Sequence, residues 1–238
     1  MTFDSGVTLT EHLMSLANAD NAEHAQRFFK TGPGEYGEGD KFLGLRMPQI
    51  RAAAKASLGL SFDEIQPLLV SEWHELRMTA LIWMTEAYAK RKQQRDDLVE
   101  QYWRHLDYIN NWDLVDCSAH KVLGRHYCPD RADELTPLFD SADLWRRRVA
   151  ILAGLYFIQK GHNQLTLAQA KVCVGDTRDL IQKASGWMLR EAGKRHLSDL
   201  TEFLDEHAAQ MPRTMLRYSI EKLDKPTRLH YMGLANKS

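Results

Sequence analysis

A tryptophan and an aspartate, Trp112 and Asp116, have the spacing in this sequence that best suits chemistry. Residues four apart lie on one face of a helix, so the indole and the carboxylate should project side by side. Residues 110–124 begin with two asparagines, which cap helices, and end at Gly124, a helix stop. They predict one short helix. Because such a pair more often serves packing and capping, its place in the chain decides whether it is a site.

The segments around this helix are also helical in pattern. Residues 8–30 predict two helices, residues 31–40 a glycine-rich loop, and residues 48–55 a helix that begins at Pro48. From residue 61 onward the sequence consists of amphipathic, helix-length segments separated by single glycines or prolines. It contains no alternating β-branched runs of the kind that predict strands. The sequence therefore predicts an all-α protein.

The helical segments also repeat along the chain. Aligned segments begin at residues 77, 112, 148 and 183, at offsets of 35, 36 and 35, and a fifth follows after 30 at residue 213. This period fits paired-helix repeats that resemble HEAT or tetratricopeptide units, although it is short for HEAT and the tetratricopeptide signature residues are not present. Each pair covers one face with its neighbour, so we expect an α-helical solenoid, a superhelix with a concave inner surface. We expect one such domain over residues 1–238.

The alignment places a cation at the position of Trp112 in each of the other four repeats. These cations are Arg77, Arg148, Lys183 and Arg213. Because charged side chains are rarely buried without a partner, we expect the column to face the open groove, and Trp112 with it. Trp187 occupies the position of Asp116 two repeats later, and Arg190 follows on the same helix. The commoner alternative is a set of solvated or salt-bridged helix-surface charges.

Length, composition and charge describe an ordinary globular protein. The chain has 238 residues, 44% of them hydrophobic and 26% charged, and a net charge of −1. Any nucleic-acid surface must therefore be a local basic patch. The sequence has no basic start followed by an apolar run, and no apolar segment of bilayer length, so we expect a cytoplasmic protein without membrane contact. Three cysteines without ligand spacing predict reduced core thiols.

A groove of this composition suits one kind of reaction. Separated cations bind a polyanionic backbone because each phosphate contact releases counterions, and exposed tryptophans stack on bases or sugars. A carboxylate among them weakens binding of a polyanion, which favours a chemical role for Asp116. Cleavage of a glycosidic bond needs such a group, because positive charge develops on the sugar and a carboxylate stabilises it.

Two other interpretations remain open. A non-catalytic solenoid could bind DNA or protein through its concave face, as most repeat proteins do. Asp116, Cys117 and His120 could share a metal ion, but the sequence offers no second pair of ligands. We therefore expect neither a metal ion nor another cofactor.

Four motifs of this sequence resemble those of the AlkD-like DNA alkylation repair proteins, and the likeness extends over residues 10–220. The motifs are FLGLRMP at 42–48, NWDLVD at 111–116, LWRRRVAIL at 144–152 and IQKASGWMLRE at 181–191. The resemblance implies a solenoid of about six HEAT-like two-helix repeats. It also implies a monofunctional DNA glycosylase, and we expect the protein to be a monomer. Such an enzyme removes positively charged N3- and N7-alkylated purines, such as 3-methyladenine and 7-methylguanine, from double-stranded DNA without a base-flipping pocket.

The resemblance also implies roles for single residues. Asp116 matches the catalytic carboxylate of the family, and Trp112 and Trp187 match the aromatic residues that pack around the deoxyribose of the lesion. Arg148 matches an arginine near the DNA backbone, and further DNA-binding candidates accompany it: Lys183, Arg190, Arg213 and Arg77. The family often has a tyrosine as its N-terminal site aromatic. The matching position here is Phe28, and Tyr36 could substitute for it.

Overall fold

The computed structural model describes residues 2–234 of the chain. Within them the chain forms α-helices joined by short 3-10, π and loop segments, and no β-strand. An isolated bridge pairs Lys41 with Trp73. The predicted all-α fold is confirmed. In this described part of the chain, none of the helices has both the length and the apolar character needed to cross a bilayer.

The first compact unit comprises Met1–Ser118 and is organised around one buried helix. Its helices are α1 (Gly6–Ser15), α2 (Ala19–Phe28), α3 (Met47–Ala56), α4 (Phe62–Leu69), α5 (His74–Lys90), α6 (Arg95–Arg104) and most of α7 (Trp112–Ala119). Helices α3 and α4 pack on α5, and α1 packs on α3 and α4. The indole of Trp83 on α5 is fully buried and donates to the carbonyl of Ser57 at 3.0 Å. The two helices predicted within residues 8–30, and the helix predicted from Pro48, are confirmed.

The second compact unit comprises Ala119–Ser238 and consists of paired helices. After a π segment at His120–Gly124, its helices are α8 (Arg125–Tyr127), α9 (Thr136–Phe139), α10 (Leu144–Gln159), α11 (Gln164–Cys173), α12 (Asp179–Arg195), α13 (Leu197–His207), α14 (Arg213–Ser219) and α15 (Lys225–Leu234). Helix α12 packs against α10 and α14 and against the intervening helices α11 and α13.

The repeats predicted from the sequence coincide with observed helices. The five aligned segments lie on α5, α7, α10, α12 and α14. In the second unit α12 contacts both its predecessor α10 and its successor α14, as stacked repeats require. The helical-repeat fold is thus confirmed. That residues 1–238 form a single domain stays a prediction.

One detail of the predicted helix at residues 110–124 is wrong. Gly124 is not a stop, because its backbone is helical (φ −56°, ψ −44°) and the chain continues into α8. A Cβ atom there would lie 2.3 Å from the carbonyl oxygen of Ala153 on α10, and one on Gly186 of α12 would lie 2.4 Å from that of Met215 on α14. These glycines therefore permit close helix packing, which a sequence pattern does not distinguish from a helix end.

Candidate active site

Trp112 is the first residue of α7, and its half-buried indole contacts two phenylalanines at the end of α2. The ring of Phe29 stacks on it at a centroid distance of 5.2 Å and an interplanar angle of 22°. The ring of Phe28 meets it edge-on at 5.8 Å, and Phe28 is 58% exposed. Offset and edge-on contacts of this kind are favourable for aromatic rings. The aromatic that the sequence aligned with the site, Phe28, thus lies beside Trp112.

The stack of rings continues from Phe29 into the protein. Phe29 stacks on Phe42 at 5.1 Å and contacts the imidazole of His74 at 5.0 Å, and Phe42 stacks on that imidazole at 4.7 Å. Sequence reasoning assigned no role to Phe29 or His74. Phe29 directly follows Phe28 in the sequence. Two adjacent phenylalanines were the available signal that one ring could point outward and the other inward. Trp112 is therefore backed by a series of contacting rings.

Beneath these rings lies a buried charge network centred on Asp40, the last residue of the glycine-rich loop. Its carboxylate accepts hydrogen bonds from Arg77 at 2.5 Å and from the side chain of Asn111 at 3.0 Å, and it faces Nδ1 of His74 at 3.2 Å. Burial alone would raise the pKa of Asp40, but His74, Arg77 and Asn111 together lower it below its usual value. The loop is thereby fastened to α5 and to the start of α7.

The other ring nitrogen of His74, Nε2, faces Oδ2 of Asp113 at 2.9 Å. Burial alone would lower the pKa of His74. The charge of Asp113 and the hydrogen bonds to Asp113 and Asp40 outweigh burial and raise the pKa to about 9. The imidazole is therefore charged at neutral pH and joins two carboxylates from separate parts of the first unit.

Glu75, next to His74 on α5, supports the preceding loop in a second way. Its buried carboxylate accepts hydrogen bonds from three successive backbone N–H groups, those of Leu43 at 2.9 Å, Gly44 at 2.8 Å and Leu45 at 3.2 Å. Three donors to one carboxylate satisfy a stretch of backbone that forms no regular structure. The FLGLRMP motif is thus held against α5.

Asp116 lies one helical turn after Trp112 on α7, and its side chain is half-buried rather than enclosed in the core. It is near the buried phenol of Tyr102, which bonds the hydroxyl of Ser118 at 2.8 Å. Burial chiefly raises the pKa of Tyr102, and the charge of Asp116 adds to the rise. Among residues 2–234, no three His, Cys, Asp or Glu side chains are grouped so that they could hold a metal ion.

The cation column does not behave as one surface. Arg77 and Arg148 are each only 4% exposed, so the expectation that the column faces an open groove is wrong at these two positions. Arg77 is paired with Asp40 and donates to the carbonyl of Ser71 at 2.9 Å. Arg148 donates to the carbonyl of Leu180 at 2.6 Å. These partners offset the cost of burying the guanidinium groups.

The other two members of the column are accessible. Lys183 on α12 is partly exposed and pairs with Asp179 at 2.7 Å, and Arg213 at the start of α14 is exposed. Lys183 also borders a cavity of about 670 Å³ in the second unit, between α12, α14 and α15. Further cations of this cavity are Arg217, Lys225 and Arg228. Such a concave basic surface suits an anionic ligand.

Trp187 on α12 is held differently from Trp112. Its half-buried indole donates from Nε1 to the carboxylate of Glu191 at 3.1 Å. That carboxylate also accepts from Lys194 at 2.7 Å and from Arg190 at 3.3 Å, and Arg190 pairs in turn with Glu221. Trp187 therefore lies on a partly exposed cluster of charges within the second unit.

Comparison with known proteins gives one family. Residues 9–223 match the family model described as "DNA alkylation repair enzyme". Among solved structures the chain is similar to a "Predicted DNA alkylation repair enzyme from Enterococcus faecalis", with a TM-score of 0.68 and 21% identity over 88% of this chain and 97% of that chain. At this identity the likeness shows the fold alone. No curated protein matches the chain.

Proposed function

The chain belongs to the DNA alkylation repair enzyme family, and we propose that within it the chain acts as a monofunctional DNA glycosylase. Its substrates are positively charged N3- and N7-alkylated purines in double-stranded DNA, such as 3-methyladenine and 7-methylguanine. One observation carries the proposal. The carboxylate of Asp116 and the indole of Trp112 share one face of α7, both are half-buried, and the exposed ring of Phe28 extends the aromatic surface beside them.

In the proposed reaction the alkylated base is already cationic, so it needs no general acid to leave. The bond between C1′ and the base nitrogen breaks, and its electron pair stays with the base, which becomes neutral. Asp116 stabilises the positive charge that develops on the sugar. A water molecule then forms the new bond to C1′ and loses its proton to solvent. The products are a free base and an abasic site.

In this proposal the aromatic residues pack against the deoxyribose of the lesion. Trp112 offers a ring whose far side is covered by Phe29, so its orientation is fixed before DNA arrives. Phe28 is assigned as the N-terminal aromatic of the site because its ring contacts Trp112 directly, and Tyr36 stays the alternative. Trp187 joins the proposal through its motif, IQKASGWMLRE at 181–191. The lesion stays stacked in the duplex, and the contacts are made to its sugar.

Contacts to the DNA backbone in this proposal come from solvent-accessible cations. Lys183, Arg190 and Arg213 are exposed or partly exposed, so each could meet a phosphate. Arg77 and Arg148 are assigned an internal role instead, because both are buried and their guanidinium groups already donate to Asp40 and to the carbonyl of Leu180. The chain's slight net negative charge agrees with a local rather than a global DNA surface.

Base release from a duplex with a single 7-methylguanine tests the function. We expect the protein to liberate free 7-methylguanine and leave an abasic site, and to release nothing from an undamaged duplex of the same sequence. Asp116→Asn should bind the damaged duplex but lose most release. A non-catalytic DNA-binding scaffold would instead bind both duplexes and release no base, and that result would refute the proposal.

A further inference from the structure

We propose that His74 is the positioning residue for Trp112, acting as an imidazolium clamped between Asp40 and Asp113. This inference rests on the proposed function, because it concerns the indole that would hold the lesion's sugar. His74 contacts the ring of Phe29, which stacks on that indole. It is therefore a positioning residue, not a catalytic one.

The geometry around His74 requires the charged ring. Nδ1 lies 3.2 Å from the carboxylate of Asp40 and Nε2 lies 2.9 Å from that of Asp113. A neutral imidazole has one N–H group and would leave one carboxylate facing a lone pair, whereas an imidazolium donates to both. With Arg77 on Asp40, two cations then balance two carboxylates in a region almost closed to water. Such balance is what buried charges need.

The Asp40–His74–Asp113 group, which we call the clamp, holds the residues on both sides of Trp112 in the sequence. Asn111 precedes the tryptophan and donates from Nδ2 to Oδ2 of Asp40, the same oxygen that faces His74. Asp113 follows it and accepts from Nε2 of His74. The backbone of Trp112 is thus fixed by two neighbours whose side chains end on one Asp40–His74 pair.

The clamp also acts on the ring of Trp112. Phe29 lies between the two aromatic groups, 5.0 Å from the imidazole of His74 and 5.2 Å from the indole. Phe42 covers His74 as well, at 4.7 Å. Closely packed groups transmit displacement because they have low compressibility. A change in the tilt of the imidazole should therefore also change the position of the indole. Backbone and side chain of Trp112 depend on the same histidine.

The charged and titratable groups around His74 come from each element near it. Asp40 from the loop and Asp113 from α7 contact the ring, and Arg77 of its own helix lies across Asp40. Glu75 is occupied by the backbone of residues 43–45. His24 of α2 and Arg46 border the adjoining cavity of about 390 Å³. The two contacting carboxylates thus dominate, and removing one charge should make the ring easier to deprotonate.

Asp113→Asn is the informative variant, because it keeps the size and an acceptor oxygen but removes one charge. We expect the NMR titration of the His74 ring to move to lower pH by at least about one unit. The emission of Trp112, taken as the difference between each protein and its Trp112→Phe partner, should shift with the same midpoint. Base release should lose kcat with little change in KM at neutral pH, and recover toward wild type near pH 6.

A matched control is Asp97→Asn, which changes an exposed aspartate at the start of α6 and should leave both titrations unaltered. The wild-type protein alone also tests the idea if Asp113→Asn does not fold, because Trp112 emission must change as His74 loses its proton. The inference is overturned if Trp112 emission does not change as His74 titrates, or if the midpoint of the His74 titration is the same in Asp113→Asn as in the wild type. Neither readout needs glycosylase activity, so failure of the proposed function, seen as no base release by the wild-type protein, is a separate outcome.

Discussion

Trp112 in the first unit and Trp187 in the second are held by different kinds of interaction. Trp112 stacks on Phe29, and beneath that ring lies a buried ion network. Trp187 hydrogen-bonds Glu191, whose carboxylate is shared with partly exposed Lys194 and Arg190. Buried, paired charges are costly to break, whereas exposed pairs contribute little and are screened by salt. We therefore expect the surroundings of Trp112 to be sensitive to single substitutions and to pH, and the surroundings of Trp187 to be tolerant.

The largest expected effect is that of Arg77→Ala. It would leave the buried carboxylate of Asp40 without its arginine, so we expect the free energy of unfolding to fall by about 3–5 kcal/mol. Urea unfolding followed by circular dichroism measures this change. Arg27→Ala is the control, because Arg27 forms an exposed pair with Glu23 and its loss should cost about 0–0.5 kcal/mol. Equal costs for the two variants would remove the contrast between buried and exposed pairs.

A smaller effect is expected from alkaline pH. The folded-state pKa of His74, about 9, lies above its ordinary value of 6.5. Its stabilising contribution is therefore complete below pH 6.5 and is lost as the pH rises through 9. We expect the wild type to lose on the order of 2 kcal/mol of unfolding free energy between pH 7 and pH 10, and Asp113→Asn to lose less. A wild-type curve that is flat over this range would contradict a charged His74.

The depressed pKa of Asp40 makes the same network sensitive to acid. The pKa of this carboxyl lies below its usual 3.8, so its contribution is present above that value and is lost as the pH falls below it. The network thus has an acid limit set by Asp40 and an alkaline limit set by His74.

The smallest effect is expected from Glu191→Gln. The amide oxygen can still accept from the indole of Trp187, and only partly exposed pairs with Lys194 and Arg190 are weakened. We expect the free energy of unfolding to change by about 1 kcal/mol or less, and the change to shrink further in high salt. Unfolding at low and high salt measures both. A loss comparable to that of Arg77→Ala would show that the two tryptophans are supported alike.

The repeat architecture could be predicted from the sequence because it depends on local periodicity. Apolar spacing determined the helices, and a near-constant interval located α5, α7, α10, α12 and α14 as equivalent. The family resemblance marked Phe28 as the N-terminal aromatic, with Tyr36 as the alternative, and the ring of Phe28 lies beside Trp112. These features need no knowledge of which distant side chains meet.

The charge network could not be predicted, because its members lie far apart in the sequence. Asp40 bonds Arg77 across 37 residues and Asn111 across 71. A glycine-rich loop with several acids resembles a solvated turn, so nothing marked Asp40 as the partner that would bury Arg77. The prediction that Arg148 faces a groove was wrong for a similar reason, because its acceptor, the backbone carbonyl of Leu180, is also distant in the sequence. Sequence position in a repeat does not determine what a long side chain bonds.

The carboxylate of Asp116 is proposed to drive loss of the alkylated base, and single-turnover release of 7-methylguanine measures this role directly. With protein in excess over a damaged duplex, we expect Asp116→Asn to release base at least about 100-fold more slowly than wild type, while binding the duplex within about threefold. Asp97→Asn, the exposed control, should match wild type. Release by Asp116→Asn within about twofold of wild type would contradict the claim.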